Sequence, residues 1–250
     1  MARAAVLGRL TWLVGTVAAL RDETPTARTI ALDVPGWRGH SAGQHVDIRL
    51  TAEDGYSAER SYSIASAPDG QRLELTIQRL DDGEVSPYLS EVLKVGDPLE
   101  LRGPIGGWFV WDPDQPAPVL LVAGGSGIVP LMSMIRARAQ DGSTVPFRLV
   151  YSVRGPEQII YGPELAERAA AGDGFSLTYV YTRAAPPGAD RPAGRISAGV
   201  LAEAGWPARQ APAVFVCGPT GYVEAVAGLL TGAGHDPGRI KTERFGPTGS

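Results

Sequence analysis

Apolar and polar positions alternate at period two in Gln44-His45-Val46-Asp47-Ile48-Arg49-Leu50 and in Arg72-Leu73-Glu74-Leu75-Thr76-Ile77-Gln78-Arg79, the pattern of half-buried strands. Segments of similar composition at 11–20, 27–34, 60–66 and 97–102 bring the strands predicted before residue 110 to six. Turn dipeptides separate them: Pro35-Gly36, Ala42-Gly43, Asp54-Gly55, Asp69-Gly70 and Asp82-Gly83. A short helix is expected over 86–93. Many short strands with such punctuation predict a small closed antiparallel barrel.

The pattern changes after Trp111-Asp112-Pro113-Asp114-Gln115-Pro116-Ala117-Pro118, which has three prolines and no periodicity. Val119–Ala123, Phe147–Val153, Phe175–Thr182, Ala213–Cys217 and Ile240–Phe245 read as strands. Helical stretches at 128–140, 163–171, 197–204 and 220–232 lie between them. Mostly apolar strands joined by helices predict a parallel sheet of five strands covered on both faces. The expected organisation is therefore two domains, a barrel over 1–112 and an α/β unit over 113–250. The Pro/Gly-rich loop at 184–193 is expected to be mobile.

Composition removes several function classes. A net charge of −4 over 250 residues gives no general attraction to nucleic acid or anionic membranes. Cys217 is the single cysteine, so neither an internal disulfide nor a four-cysteine iron–sulfur cluster can form within the chain. The histidines at 40, 45 and 235 have no metal-ligand spacing, and no metal is expected. Arg3 and Arg9 before the apolar run 10–20 mimic a signal peptide. Arg21-Asp22-Glu23 follows without a small-residue cleavage site, so the run is read as a strand and the location as cytoplasmic.

Three short motifs carry candidate chemistry. Alternation on the fourth strand, Arg60-Ser61-Tyr62-Ser63, puts Ser61 and Ser63 on one face and Arg60 and Tyr62 on the other. Strand 119–123 runs into Gly124-Gly125-Ser126-Gly127, with Pro130 in the first turn of the next helix. Strand, glycine turn and helix start together suit a pyrophosphate, because glycine admits close backbone approach and the helix start supplies N–H donors. The third is Cys217-Gly218-Pro219, at the end of a strand. Ser86 followed by Pro87 reads as the N-cap and first-turn proline of the short helix.

In this order and spacing the motifs resemble the ferredoxin–NADP⁺ reductase superfamily, over residues from about 10 to 247. The resemblance implies that Arg60 pairs with a flavin phosphate, Tyr62 packs on the isoalloxazine and Ser63 hydrogen-bonds near N5. It places Gly83, Val85 and Ser86 against the diphosphate of FAD, with Ile77, Gln78 and Arg79 on the flanking strand. It implies that Cys217 sits beside the nicotinamide C4 without acting as a nucleophile. Glu243, one spacer and Phe245 match the end of plant-type members, where an aromatic stacks on the flavin. This chain departs in having Phe for Tyr and five further residues, which leave open a tail folded toward the adenine side.

Strand ends on the carboxyl side of such a sheet line the ligand crevice. Ser152 and Arg154, Arg183, and Arg195 fall at or near such ends, and some relatives place arginines there around a 2′-phosphate. NADPH is therefore expected over NADH. The implied function is hydride transfer from NADPH to FAD, then electron delivery to a ferredoxin, flavodoxin or oxygenase component, by a monomer. An NAD(P)H:flavin reductase and a non-catalytic electron-transfer subunit remain open alternatives.

Overall fold

The computed structural model describes residues 10–68 and 72–246. The turn read at Asp69-Gly70, the basic flank at Arg3 and Arg9, and the tail from residue 247 lie outside the described residues. Six N-terminal strands are β1 (Leu13–Thr24), β2 (Ala27–Asp33), β3 (His45–Thr51), β4 (Ser57–Ser63), β5 (Arg72–Gln78) and β6 (Pro98–Ile105). They pair antiparallel in the order β4-β3-β6-β1-β2-β5. A single bridge, Ile64 to Leu75, joins the residue after β4 to β5 and closes the sheet on itself. Every second residue points inward. Val46 and Ile48 of β3, and Leu73, Leu75 and Ile77 of β5, are fully buried with Ile30, Leu32, Leu89 and Leu101. Each such side chain contributes about 1.5–3 kcal/mol by leaving water.

Strand limits differ from expectation for local reasons. β1 runs on to Thr24 because its polar end pairs with β2: Arg28 Nε donates to Asp22 at 2.6 Å and Thr29 Oγ1 to Glu23 at 2.7 Å. β4 begins earlier, at Ser57, because the Asp54-Gly55 turn feeds it directly; Ala52 N–H donates to Tyr56 O at 2.8 Å. It ends at Ser63, where the chain leaves β3 for β5.

The expected helix at 86–93 is corrected. Tyr88–Val92 form one π-type turn, with Leu93 N–H reaching Tyr88 O at 3.0 Å. Ser86 is not its cap. Its Oγ accepts from Leu80 N–H at 3.1 Å, and Ser90 Oγ bonds back to Ser86 O at 2.7 Å. The cap position falls to Pro87, which has no acceptor side chain.

The second unit has β7 (Val119–Gly124), α1 (Ile128–Gln140), β8 (Phe147–Val153), α2 (Gly162–Ala170), β9 (Phe175–Tyr181), α3 (Ala198–Ala204), β10 (Ala213–Pro219), α4 (Thr220–Gly232) and β11 (Ile240–Phe245). Its five strands are parallel in the order β11-β10-β7-β8-β9. Val119, Leu121 and Ala123 of β7 pack with α1 and α2, while Leu120 and Val122 pack with α3 and α4. The chain moves outward from β7 to β8 and β9, then returns to build β10 and β11 on the other side. The carboxyl ends of β7 and β10 thus border the switch point, where open α/β sheets bind ligands.

A polar clamp joins the two units. Arg136 of α1 donates to Ala65 O at 3.0 Å, to Glu74 at 2.9 Å and to Glu164 at 2.6 Å. Burial works against its charge, but the two carboxylates outweigh that and hold the guanidinium firmly protonated. Ser133 Oγ donates to Ser66 O at 2.7 Å, and the buried Tyr161 hydroxyl bonds Thr76. The helix that starts at the glycine turn therefore also grips the chain just after β4.

Candidate active site

The end of β4 meets the ends of β10 and β11. Ser63 is buried, and its Oγ donates to Glu243 Oε1 at 3.3 Å across 180 residues of chain. Cys217 pairs in register with Glu243 on the neighbouring parallel strand. Burial drives the Cys217 thiol well above its ordinary range, and the nearby Glu243 charge adds to this. The thiol therefore stays protonated. Burial also raises the Glu243 carboxyl, to about 7, against the opposing effect of the Ser63 bond. A serine, a protonated thiol and a carboxyl that titrates near neutrality thus converge from both units.

Around this point Tyr62 packs against the barrel core, its phenol pushed up to about 12 by burial. Phe245 packs on the neighbouring α/β core and lies opposite Pro219 in the β10–β11 register. The predicted alternation of β4 appears in the contacts. Ser61 Oγ donates to Asp47 at 2.6 Å, on the face away from Tyr62, so its hydroxyl is already engaged. Arg60 stands half in solvent, with Nη2 2.6 Å from Glu84 Oε2; Glu84 Oε1 also accepts from Tyr56 at 2.9 Å. Sequence reasoning missed Glu84 and Tyr56. The position of Glu84 between Gly83 and Val85 was the available signal.

The flanking segment is only partly available to a ligand. The side chains of Ile77 and Val85 are buried in the barrel core, leaving main chain for contact. Gln78 is exposed, while Arg79 is tied to Glu91 and Asp81. A Cβ on Gly83 would come within 2.8 Å of Ser86 Oγ and 3.1 Å of Leu80 O, so the loop closes this tightly only with glycine. An exposed guanidinium, an aromatic wall and a hydroxyl beside a near-neutral carboxyl form a donor set that fits a flavin and its phosphate.

The glycine turn serves three purposes. A Cβ at Gly127 would lie 2.1 Å from Cys217 O, so this glycine allows β7 and β10 to close together. A Cβ at Gly124 would lie 2.7 Å from the Tyr222 ring. A Cβ at Gly125, where φ is +54°, would meet nothing within 4 Å beyond its chain neighbours, so of these three glycines this is the one open to an incoming group. Gly125–Gly127, with Ser126 between them, form a 3₁₀ turn that leads into α1, and Pro130 is buried in its first turn. Gly218 and Pro219 complete the β10 end. Tyr222, also missed from sequence, donates to Ala123 O at 2.9 Å and lies 3.2 Å from Ser152 Oγ.

Arg154, Arg183 and Arg195 are all exposed and gather at the far end of β8 and β9. Arg183 N–H donates to Arg154 O at 3.0 Å, and Gly194 N–H to Tyr181 O at 2.8 Å. Among the described residues, none of the three makes an ion pair, whereas Arg168 and Arg191 of the same unit do. Among the described residues there is also no cluster able to hold a metal ion, and no helix long and apolar enough to cross a membrane.

Residues 24–110 match the model of the oxidoreductase FAD-binding domain, and 121–228 that of the oxidoreductase NAD-binding domain. Ferredoxin–NADP reductase B of Sorangium cellulosum is 35% identical over 223 residues, covering 86% of this chain and 90% of that protein. The chain belongs to the ferredoxin–NADP⁺ reductase superfamily. Among other superfamily members, the glycine betaine monooxygenase reductase subunit of Pseudomonas aeruginosa is 37% identical over 215 residues, or 82% of this chain. The chain spans 56% of that relative's length. An Amycolatopsis cytochrome P450 reductase superposes with a TM-score of 0.82 at 28% identity, over 98% of this chain and 74% of that one.

Proposed function

We propose that this chain is an FAD-dependent NADPH reductase that passes electrons to a protein acceptor, a ferredoxin, flavodoxin or oxygenase component. The observation that carries the reading is the meeting of Ser63, Cys217 and Glu243 from the two units, beside the open glycine turn. When bound, FAD supplies the redox chemistry, accepting hydride from NADPH and releasing electrons onward.

The chain's own residues orient and protonate. Arg60 holds the flavin phosphate, exchanging its Glu84 contact for a phosphate oxygen. Tyr62 and Phe245 present flat faces to the ring system, and Ser63 offers its hydroxyl at the reacting edge. Gly125 admits the nicotinamide-nucleotide pyrophosphate to the N–H groups at the start of α1. Protonated Cys217 sets the distance of approach and excludes water from the reacting atoms. Glu243 holds a proton through Ser63 and releases it within the neutral pH range.

Among the described residues Arg154, Arg183 and Arg195 make no ion pair, which supports NADPH over NADH, since a 2′-phosphate would give these guanidinium groups an anionic partner. The reading includes a monomer working in the cytoplasm, with the two units divided at residues 112 and 113. Relatives named as reductase subunits of oxygenases, and one as a ferredoxin reductase, support a protein acceptor.

The test is purification without added flavin. FAD bound one to one, with rapid NADPH-dependent reduction of an artificial one-electron acceptor, is expected. A colourless protein that reduces free flavin instead would replace this reading with that of a flavin reductase.

A further inference from the structure

Tyr222 is the third residue of α4 and occupies the switch point itself. Its ring lies 2.7–3.0 Å from where a Cβ on Gly124 would stand, and 2.9 Å from the corresponding position on Gly218. Both glycines are therefore required by a tyrosine. The phenol carries one proton, and Ala123 O can only accept, at 2.9 Å. The proton goes there, so Ser152 must donate to the phenol oxygen at 3.2 Å. Ser152 is 4% exposed, whereas Tyr222 is half-buried at the crevice.

We propose that Tyr222, and not Ser152, is the member of this pair that meets the pyridine nucleotide. Its ring forms the crevice wall between β7 and β10, and Ser152 and Ala123 O lock that ring in one orientation. Ser152 is a positioning residue that acts through Tyr222. The inference rests on the reading that this crevice takes NAD(P)H.

The test is a double-mutant cycle on the flavin-loaded protein, with NADPH and an artificial acceptor. Tyr222→Phe keeps the ring and releases its tethers. Ser152→Ala releases one tether from the other side. Each is expected to raise KM about 3–10-fold, the scale of one hydrogen bond, with kcat changing less than about twofold. The double variant is expected to match Tyr222→Phe, and Tyr222→Ala to raise KM further than either.

If Ser152→Ala adds a further threefold or more in the Tyr222→Phe background, Ser152 contacts the nucleotide directly and the proposal fails. It fails too if Tyr222→Phe leaves KM unchanged, or lowers kcat alone. Should Tyr222→Ala not fold, the cycle of the two conservative variants still decides. Wild-type protein that gives no NADPH turnover at all would count against the functional reading, whichever way the cycle came out.

Discussion

Replacing Glu243 with Gln should remove a pH-dependent cost to folding that is built into the junction of the two units. The carboxyl is largely enclosed and held protonated up to about 7 in the folded protein, against an ordinary 4.5. Its folded value is raised, so its contribution to stability is fully present below pH 4.5 and is lost as the pH climbs through 7. One pH unit of such displacement corresponds to about 1.4 kcal/mol. Going from 4.5 to about 7 therefore removes about 3 kcal/mol by linkage. Gln can still accept from Ser63 Oγ but does not ionise. Urea unfolding of flavin-free wild type and Glu243→Gln, from pH 4.5 to 8.5, checks this. The two should differ little near pH 4.5 and diverge by about 3 kcal/mol above pH 7, with the variant the more stable. Stability curves that stay parallel across that range would show that Glu243 ionises as an ordinary carboxylate, and would remove its proposed role as a proton holder.

Other consequences are equally direct. Gly127→Ala must move β10, because its Cβ would meet Cys217 O at 2.1 Å; a loss of at least about 2 kcal/mol is expected by chemical denaturation. Gly125→Ala meets no atom but adopts φ of +54°, so it should cost about 1–2 kcal/mol in stability while blocking the nucleotide, read as a much larger change in KM. Arg136→Ala takes the cation from Glu74 while Glu164 keeps Arg168, and should destabilise the protein by about 1.5–3 kcal/mol, the scale of a charged hydrogen bond. Arg183→Ala should raise KM for NADPH about tenfold or more and spare NADH; equal losses for both nucleotides would rule out contact with the 2′-phosphate.

The architecture was largely legible in the sequence. Period-two runs such as 44–50 and 72–79 became barrel strands because one face of each is enclosed. The apolar strand 119–123 became the central strand of a sheet covered on both sides. Errors arose where a side chain had two possible partners. Ser86 looks like a helix cap, but Leu80 N–H, six residues back, captures its hydroxyl.

The candidate site was visible as motifs, but its connections were not. Nothing local in Ser63 or Glu243 indicates that they meet across 180 residues. Gly124 and Gly127 read as pyrophosphate glycines, and only the fold reveals that each also makes room for a neighbour, Tyr222 and Cys217, while a Cβ on Gly125 would have open space. The Arg136 clamp left no sequence signal because each of its carboxylates comes from a different element.

The most direct test is anaerobic stopped-flow reduction of the bound flavin by NADPH and by NADH. NADPH should bleach the flavin rapidly and with the higher rate over apparent affinity. Failure of both nucleotides to reduce the flavin would contradict hydride transfer at the Ser63–Cys217–Glu243 junction, and a preference for NADH would contradict the assignment of the arginine corner.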